Sequence, residues 1–122
     1  MAGNSVKFVW MEILPGAEIA VVSLEKLRGY SLDSSHPTGK HKARVFEAAL
    51  GMTQSDAQQL REMILRAILV TEAVDQGTNI HGTRYAVDFT AFGVKGTVMI
   101  RTTWIIDVGA TAPRLTSCYV IG

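Results

Sequence analysis

The chain is poor in the residues that would announce a mechanism. It has one cysteine, Cys118, so neither a disulfide framework nor a thiolate metal cluster can be built within it, and a reducing, cytoplasmic setting is expected. Neither sign of charge dominates. With 19% charged residues and a formal net charge of +1, the sequence is not a disordered acidic tail, a polybasic arm or a broadly cationic nucleic-acid surface, which leaves only local patches. Long apolar runs are missing too. The longest, Met63 to Val70, is interrupted by Arg66 and falls well below the roughly 18 residues a membrane span requires. The first fourteen residues carry Lys7 and Glu12 among Val6, Phe8, Val9 and Trp10, with no small-residue cleavage site, so a secretory leader is not expected. No repeat, low-complexity tract or linker is visible.

What is present is 48% apolar residues in a chain of 122, enough for one domain with a core. Val6, Phe8 and Trp10 fall on one side and Lys7 on the other in a loose alternation before Pro15 and Gly16, so residues 1–13 read as an N-terminal extension or edge strand, and residues 14–122 as the domain. Glu18 to Val22 predicts a short strand, and Ser23 caps a brief helix through Leu24, Leu27 and Tyr30. After a loop from Ser31 to Gly39, Ala43, Phe46 and Leu50 fall at helical spacing and Gly51 ends the run. Thr53 and Asp56 make a capping box for a longer helix, with Leu60, Ile64, Ala67, Ile68 and Thr71 on one face, expected to end near Asp75 to Gly77.

From Gly82 the apolar period changes from 3.6 to 2. Tyr85, Val87 and Phe89 mark one strand, Val98 to Ile106 a second, and Arg114 to Ile121 a third, joined by turns at Gly93 to Gly96 and Asp107 to Pro113. Such short connections demand antiparallel pairing. The expected fold is therefore α+β, with N-terminal helices packed on one face of a C-terminal antiparallel meander.

Two polar clusters stand out. His36-Pro37-Thr38-Gly39-Lys40-His41-Lys42-Ala43-Arg44 places two of three histidines at a loop-to-helix junction, where helix amides and Lys40 suit an anion. It is no P-loop, because there is no glycine five before Gly39 and His41 replaces the Ser or Thr. The alternative is a turn shaped by His36 and Pro37, with Lys42 and Arg44 solvated. The second cluster is the open sheet face. If Val87, Phe89, Val98, Ile100, Trp104, Leu115 and Tyr119 face the helices, then Asp88, Arg101, Thr103, Arg114, Thr116 and Cys118 face outward, and a one-residue slip would bring Ser117 and Tyr119 out instead. Arg101 and Arg114 offer forked donors for phosphate or carboxylate, and the plain alternative pairs Arg101 with Asp88. No metal site or cofactor is expected: the histidines are scattered and no carboxylate pair stands at ligand spacing.

The sequence His36-Pro37-x-Gly39-Lys40-x-Lys42-Ala43 with Phe46, together with Leu14-Pro15, Lys26-Leu27, Tyr30 and Leu50-Gly51, resembles a small bacterial domain family without an assigned function. Tyr85-x-Val87-Asp88, Val98-x-Ile100-Arg101-Thr102-x-Trp104-Ile105 and Pro113-Arg114-Leu115-Thr116-Ser117 belong to the same resemblance, which runs from about Leu14 to Val120. Members are often encoded beside another very small protein and are similar to terminal domains of bacterial toxins, which implies a toxin-antitoxin-type conflict module and a small neutralising partner protein. The element order also resembles the barnase, EndoU, colicin and RelE ribonucleases, an architectural likeness only.

That second resemblance implies metal-independent RNA cleavage. His36 would act as general acid or base, Lys40, Arg101 and Arg114 would hold the scissile phosphate, Tyr85 or Thr116 would position it, and Lys42 and Thr103 would bind substrate, with His41 or Lys42 candidates for a second acid/base group. The alternative is a non-catalytic partner- or phosphate-ligand-binding protein of a two-gene module. A third reading is a homodimeric domain joined through a strand edge or the Val6 to Trp10 segment.

Overall fold

A computed structural model describes residues 11–122, so the expected strand at Val6, Phe8 and Trp10 lies outside the described residues. The architecture is α+β, with helical segments first and a four-stranded antiparallel sheet after them. A 3-10 turn at Ala17–Ile19 leads to helix α1, an α-helical turn over Leu24–Lys26 that widens into a π-helical turn over Leu27–Ser31. Helix α2 covers Lys40–Leu50 and α3 covers Ala57–Ala67, preceded by a 3-10 turn at Gln54–Asp56. The strands are β1 (Ala73–Asn79), β2 (Gly82–Gly93), β3 (Gly96–Asp107) and β4 (Arg114–Val120), in the order β1-β2-β3-β4.

Local chemistry sets the helix limits. The Ser23 hydroxyl accepts from the Lys26 amide at 3.2 Å, opening α1. Gly51 closes α2 in the left-handed region, its amide donating to the Glu47 carbonyl. Before α3, the Thr53 amide donates to Asp56 Oδ2 at 2.9 Å within a complete capping box. Phe46 of α2 and Leu60 and Ile64 of α3 are buried, and they meet Val87, Phe89, Ile100 and Trp104 from the sheet in one core.

Three expectations change. Glu18 to Val22 is not a strand. Its first part is the 3-10 turn, and only Val21 makes a bridge, parallel to Arg114, through Val21 N to Pro113 O and Leu115 N to Val21 O. The long helix stops at Ala67 rather than near Asp75, because the Thr71 hydroxyl takes the Ala67 carbonyl at 2.6 Å while the Leu69 and Val70 amides bond only three residues back. Residues Ala73–Asn79 form β1 instead, bulged between Asp75 and Gly77, so the sheet has four strands rather than three.

The third change is register. Asp88 faces Arg101, Val87 faces Thr102 and Phe89 faces Ile100, as alternation requires. Between β3 and β4, however, Trp104 pairs with Leu115 while Thr103 pairs with Ser117, leaving Thr116 as an inserted residue. A bulge reverses the inside-outside alternation of every residue beyond it. Cys118 therefore lies buried beside Thr102, and Tyr119 comes to the open face opposite Arg101.

Gly82 shows why the β1–β2 turn needs glycine. Its φ is +142°, and a Cβ there would collide with the Ile106 carbonyl of β3. Among the described residues, no helix is long and apolar enough to cross a membrane.

Candidate functional site

The loop between α1 and α2 is organised by side chains bonding to nearby backbone. Asp33 accepts the amide and hydroxyl of Ser35, which hold its carboxyl below the usual carboxylate range. His36 Nδ1 accepts the amides of Thr38 at 3.1 Å and Gly39 at 3.0 Å, and its carbonyl accepts the Lys40 amide. Backbone N–H groups can only donate, so Nδ1 is an acceptor and the neutral ring carries its proton on Nε2. His36 thus braces the turn that leads into α2. Its ring also meets Tyr30 edge-on, with centroids 4.6 Å apart.

Tyr30 in turn fixes the residue at 39. A Cβ on Gly39 would sit 3.0 Å from the Tyr30 carbonyl and 3.4 Å from its ring, closer than packed side chains tolerate without adjustment. The start of α2 is thereby pressed against the end of α1. We expect His36→Ala to lower stability by about 1 kcal/mol, the usual net contribution of a hydrogen bond, and His36→Asn, which keeps an acceptor, to lose less. Urea midpoints at constant m-value measure both; equal losses would mean that the ring's contact with Tyr30, not its acceptor nitrogen, is what counts.

A cavity of about 230 Å³ opens between these helices and β4. Lys26, Tyr30 and Ser31 line it from α1, Gly39 and Lys42 from the start of α2, and Thr116 to Tyr119 from the strand. Ser31, Gly39 and Cys118 are buried and form its inner wall, while the more exposed Tyr30 and Lys42 stand at its mouth. Among the described residues no carboxylate lines it. Lys42 Nζ lies 4.1 Å from the centroid of the Tyr119 ring, a cation–π contact across the strand edge. Behind it the Thr103 hydroxyl shares hydrogen bonds with Thr116, at 2.7 Å, and Ser117. Ser31 Oγ is sealed from solvent and has no hydrogen-bond partner among the described residues.

On the open face, Arg101 grips Asp88 in a forked pair, with Nε to Oδ1 at 2.9 Å and the terminal nitrogen to Oδ2 at 2.8 Å. Asp88 first, and Tyr119 after it, hold the guanidinium above even arginine's ordinary range. Arg114 pairs likewise with Asp107 at 2.8 and 3.0 Å, which lowers the Asp107 carboxyl and raises the guanidinium. Both pairs are well exposed and position side chains more than they stabilise the fold.

The residues singled out in the sequence therefore divide. Lys42 and Thr116 meet at the cavity, Thr103 joins them through its hydroxyl, and Arg101 neighbours Tyr119 across the strand pair. Lys40 opens α2 without lining the cavity. Tyr85 pairs with Trp104 and packs against the core, and Arg114 sits at the opposite end of β4 from Tyr119. Lys26, Ser31, Ser117 and Tyr119 belong to the site without having been chosen from sequence. Among the described residues no three His, Cys, Asp or Glu side chains gather as metal ligands.

The family described as a domain of unknown function (DUF6883) matches residues 13–122. The chain belongs to the DUF6883 family. That span takes in every helix and strand of the described residues and all the residues that line the α1–α2–β4 cavity, so the site is part of the family's own domain rather than an addition to it. No curated protein and no solved structure matches the chain.

Proposed function

We propose that this domain binds a phosphate-bearing ligand in the cavity between α1, α2 and β4, and holds it without performing chemistry on it. The supporting observation is the composition of one enclosed space: two lysines, Lys26 and Lys42, and five hydroxyl side chains, Tyr30, Ser31, Thr116, Ser117 and Tyr119, with no acid among them. Ammonium and hydroxyl donors without competing carboxylates suit a phosphate anion. His36 supports a binding role over a catalytic one, since its Nδ1 lone pair is committed to two backbone amides.

The expected result is saturable binding of inorganic phosphate or a nucleoside monophosphate by calorimetry, with amide shifts at Ser31, Gly39 and Ser117. Lys42→Gln should weaken it about tenfold or more, since a hydrogen bond to a charged group contributes about 1.5–3 kcal/mol. Unchanged affinity in that variant would end the assignment of this cavity.

A second reading, metal-independent RNA cleavage by a toxin of a conflict module, draws on Arg101 standing opposite Tyr119, so that Arg101 and Lys42 both neighbour that ring. Its test is labelled RNA incubated in chelator with wild type, His36→Ala and Arg101→Ala. Cyclic-phosphate ends lost in both variants, and growth arrest relieved by a neighbouring small gene, would favour this reading.

A further inference from the structure

We infer that the ligand of this cavity is a phosphomonoester, entering by its terminal phosphate, rather than the internal phosphodiester of a polymer; the inference rests on the phosphate-binding reading above. Three observations carry it. The first is size. About 230 Å³ is below the roughly 300–1,000 Å³ of pockets that engulf a whole drug-sized ligand. A phosphate group and the first atoms attached to it fill such a space, and the remainder of the molecule must lie outside.

The second observation is the asymmetry of the walls. Ser31, Gly39 and Cys118 at the back are buried, while Tyr30 and Lys42 at the front are exposed. A monoester presents three unsubstituted oxygens to a closed wall and leaves through the mouth by its single ester bond. An internal diester has two chain continuations, and both would have to leave on the exposed side while its phosphorus reached inward. The two tyrosines at the mouth supply flat apolar surface for the organic part, as rings do for nucleobases and sugars.

The third is the unpaired hydroxyl. Ser31 is 3% exposed, and its Oγ has no partner, although buried hydroxyls are nearly always bonded. It lines the same space as Gly39, at the N-terminal end of an eleven-residue helix whose dipole favours an anion. Because the Oγ is sealed in the unliganded protein, a rotation about χ1 that turns it toward a phosphate oxygen in the cavity gives Ser31 the acceptor it lacks. Lys26 and Lys42 then meet the two charges that a monoester carries near neutral pH, whereas a diester brings one.

The test uses the full chain and four probes: inorganic phosphate, a nucleoside 5′-monophosphate, a short RNA with a 5′-terminal phosphate, and the same RNA with hydroxyl ends. The expected result is that the mononucleotide and the 5′-phosphorylated RNA bind at least tenfold more tightly than the hydroxyl-ended RNA. Comparison of the first two shows whether the monoester comes free or on a strand end. Equal binding of both RNAs would overturn the inference while leaving the phosphate-binding reading in place, and no binding of any probe would overturn both. Ser31→Ala supplies an independent readout: affinity for the mononucleotide should fall severalfold while the unliganded protein keeps or gains thermal stability. A variant that loses stability but binds as tightly as wild type would assign the hydroxyl to the fold and overturn its role here.

Discussion

Replacing Trp104 with alanine is expected to remove about 3–5 kcal/mol of stability, a large part of what a domain of this size possesses. Trp104 is completely buried on β3, in the core that the strand shares with the helices. It also anchors a polar chain inside the core. Its indole N–H donates to Thr102 Oγ1 at 2.9 Å, and that hydroxyl donates to the Val87 carbonyl at 2.8 Å, linking two side chains of β3 to the backbone of β2. The substitution therefore opens a cavity and strips Thr102 of its donor together. Trp104→Phe keeps most of the volume, and its loss should be about 1–2 kcal/mol, set mainly by the unsatisfied Thr102 oxygen. Thr102→Val should cost a similar amount by orphaning the indole, and the double variant should cost less than the sum, because each change removes the other's unmet partner. Chemical denaturation checks all three. A loss below about 1.5 kcal/mol for Trp104→Ala would show that the sheet closes over this position, contrary to the packing described.

Cys118 should be alkylated at least about 10⁴-fold more slowly in the native protein than in the unfolded chain. Burial pushes its thiol up, so the reactive thiolate is scarce, and its place beside Thr102 inside the sheet closes it to reagent. Labelling then depends on release of β4, an edge strand whose Leu115 and Cys118 are buried in the core, so that its opening costs much of the global unfolding free energy of about 5–15 kcal/mol. Timed iodoacetamide labelling read by mass spectrometry, in native buffer and in denaturant, measures the ratio. Rapid native labelling would mean that the reagent reaches the thiol through the cavity wall that Cys118 shares. The sign of the pH dependence follows from the same burial. The folded thiol ionises above its unfolded counterpart, so this contribution is intact below about pH 8.5 and is lost as pH rises beyond it.

Much of the fold was legible because it is written locally. Gly51 after Leu50, Thr53 with Asp56, and the alternation from Tyr85 to Phe89 each specify their own stretch of backbone, and each stands where the pattern put it. β1 was not legible, for a physical reason. From Val74 to Asn79 every residue is exposed, so an edge strand there has no buried face to print an alternating pattern, and the end of the preceding helical stripe masked it. The Thr116 bulge was equally silent, since an inserted residue is defined by its partner strand, and its effect was to exchange Cys118 and Tyr119 between faces. The cavity gathers Lys26, Lys42 and Ser117 from three separated segments; only the basic character of the α1–α2 junction pointed toward it.

The strand order has a consequence for how the protein is made. Each strand lies next to its chain neighbour, and β2 and β3 are joined through only Val94 and Lys95, so the sheet can zip from local hairpins with little loop-closure entropy. The helices have no such independence, because the core that Leu60, Ile64 and Ile68 share with Leu27 and Phe46 is closed by Val87, Phe89, Ile100 and Trp104, all translated later. On the ribosome the first half of the domain thus waits, sticky and unpaired, for the second, and the interval before β3 emerges is when a nascent chain of this protein is most open to chaperones and proteases.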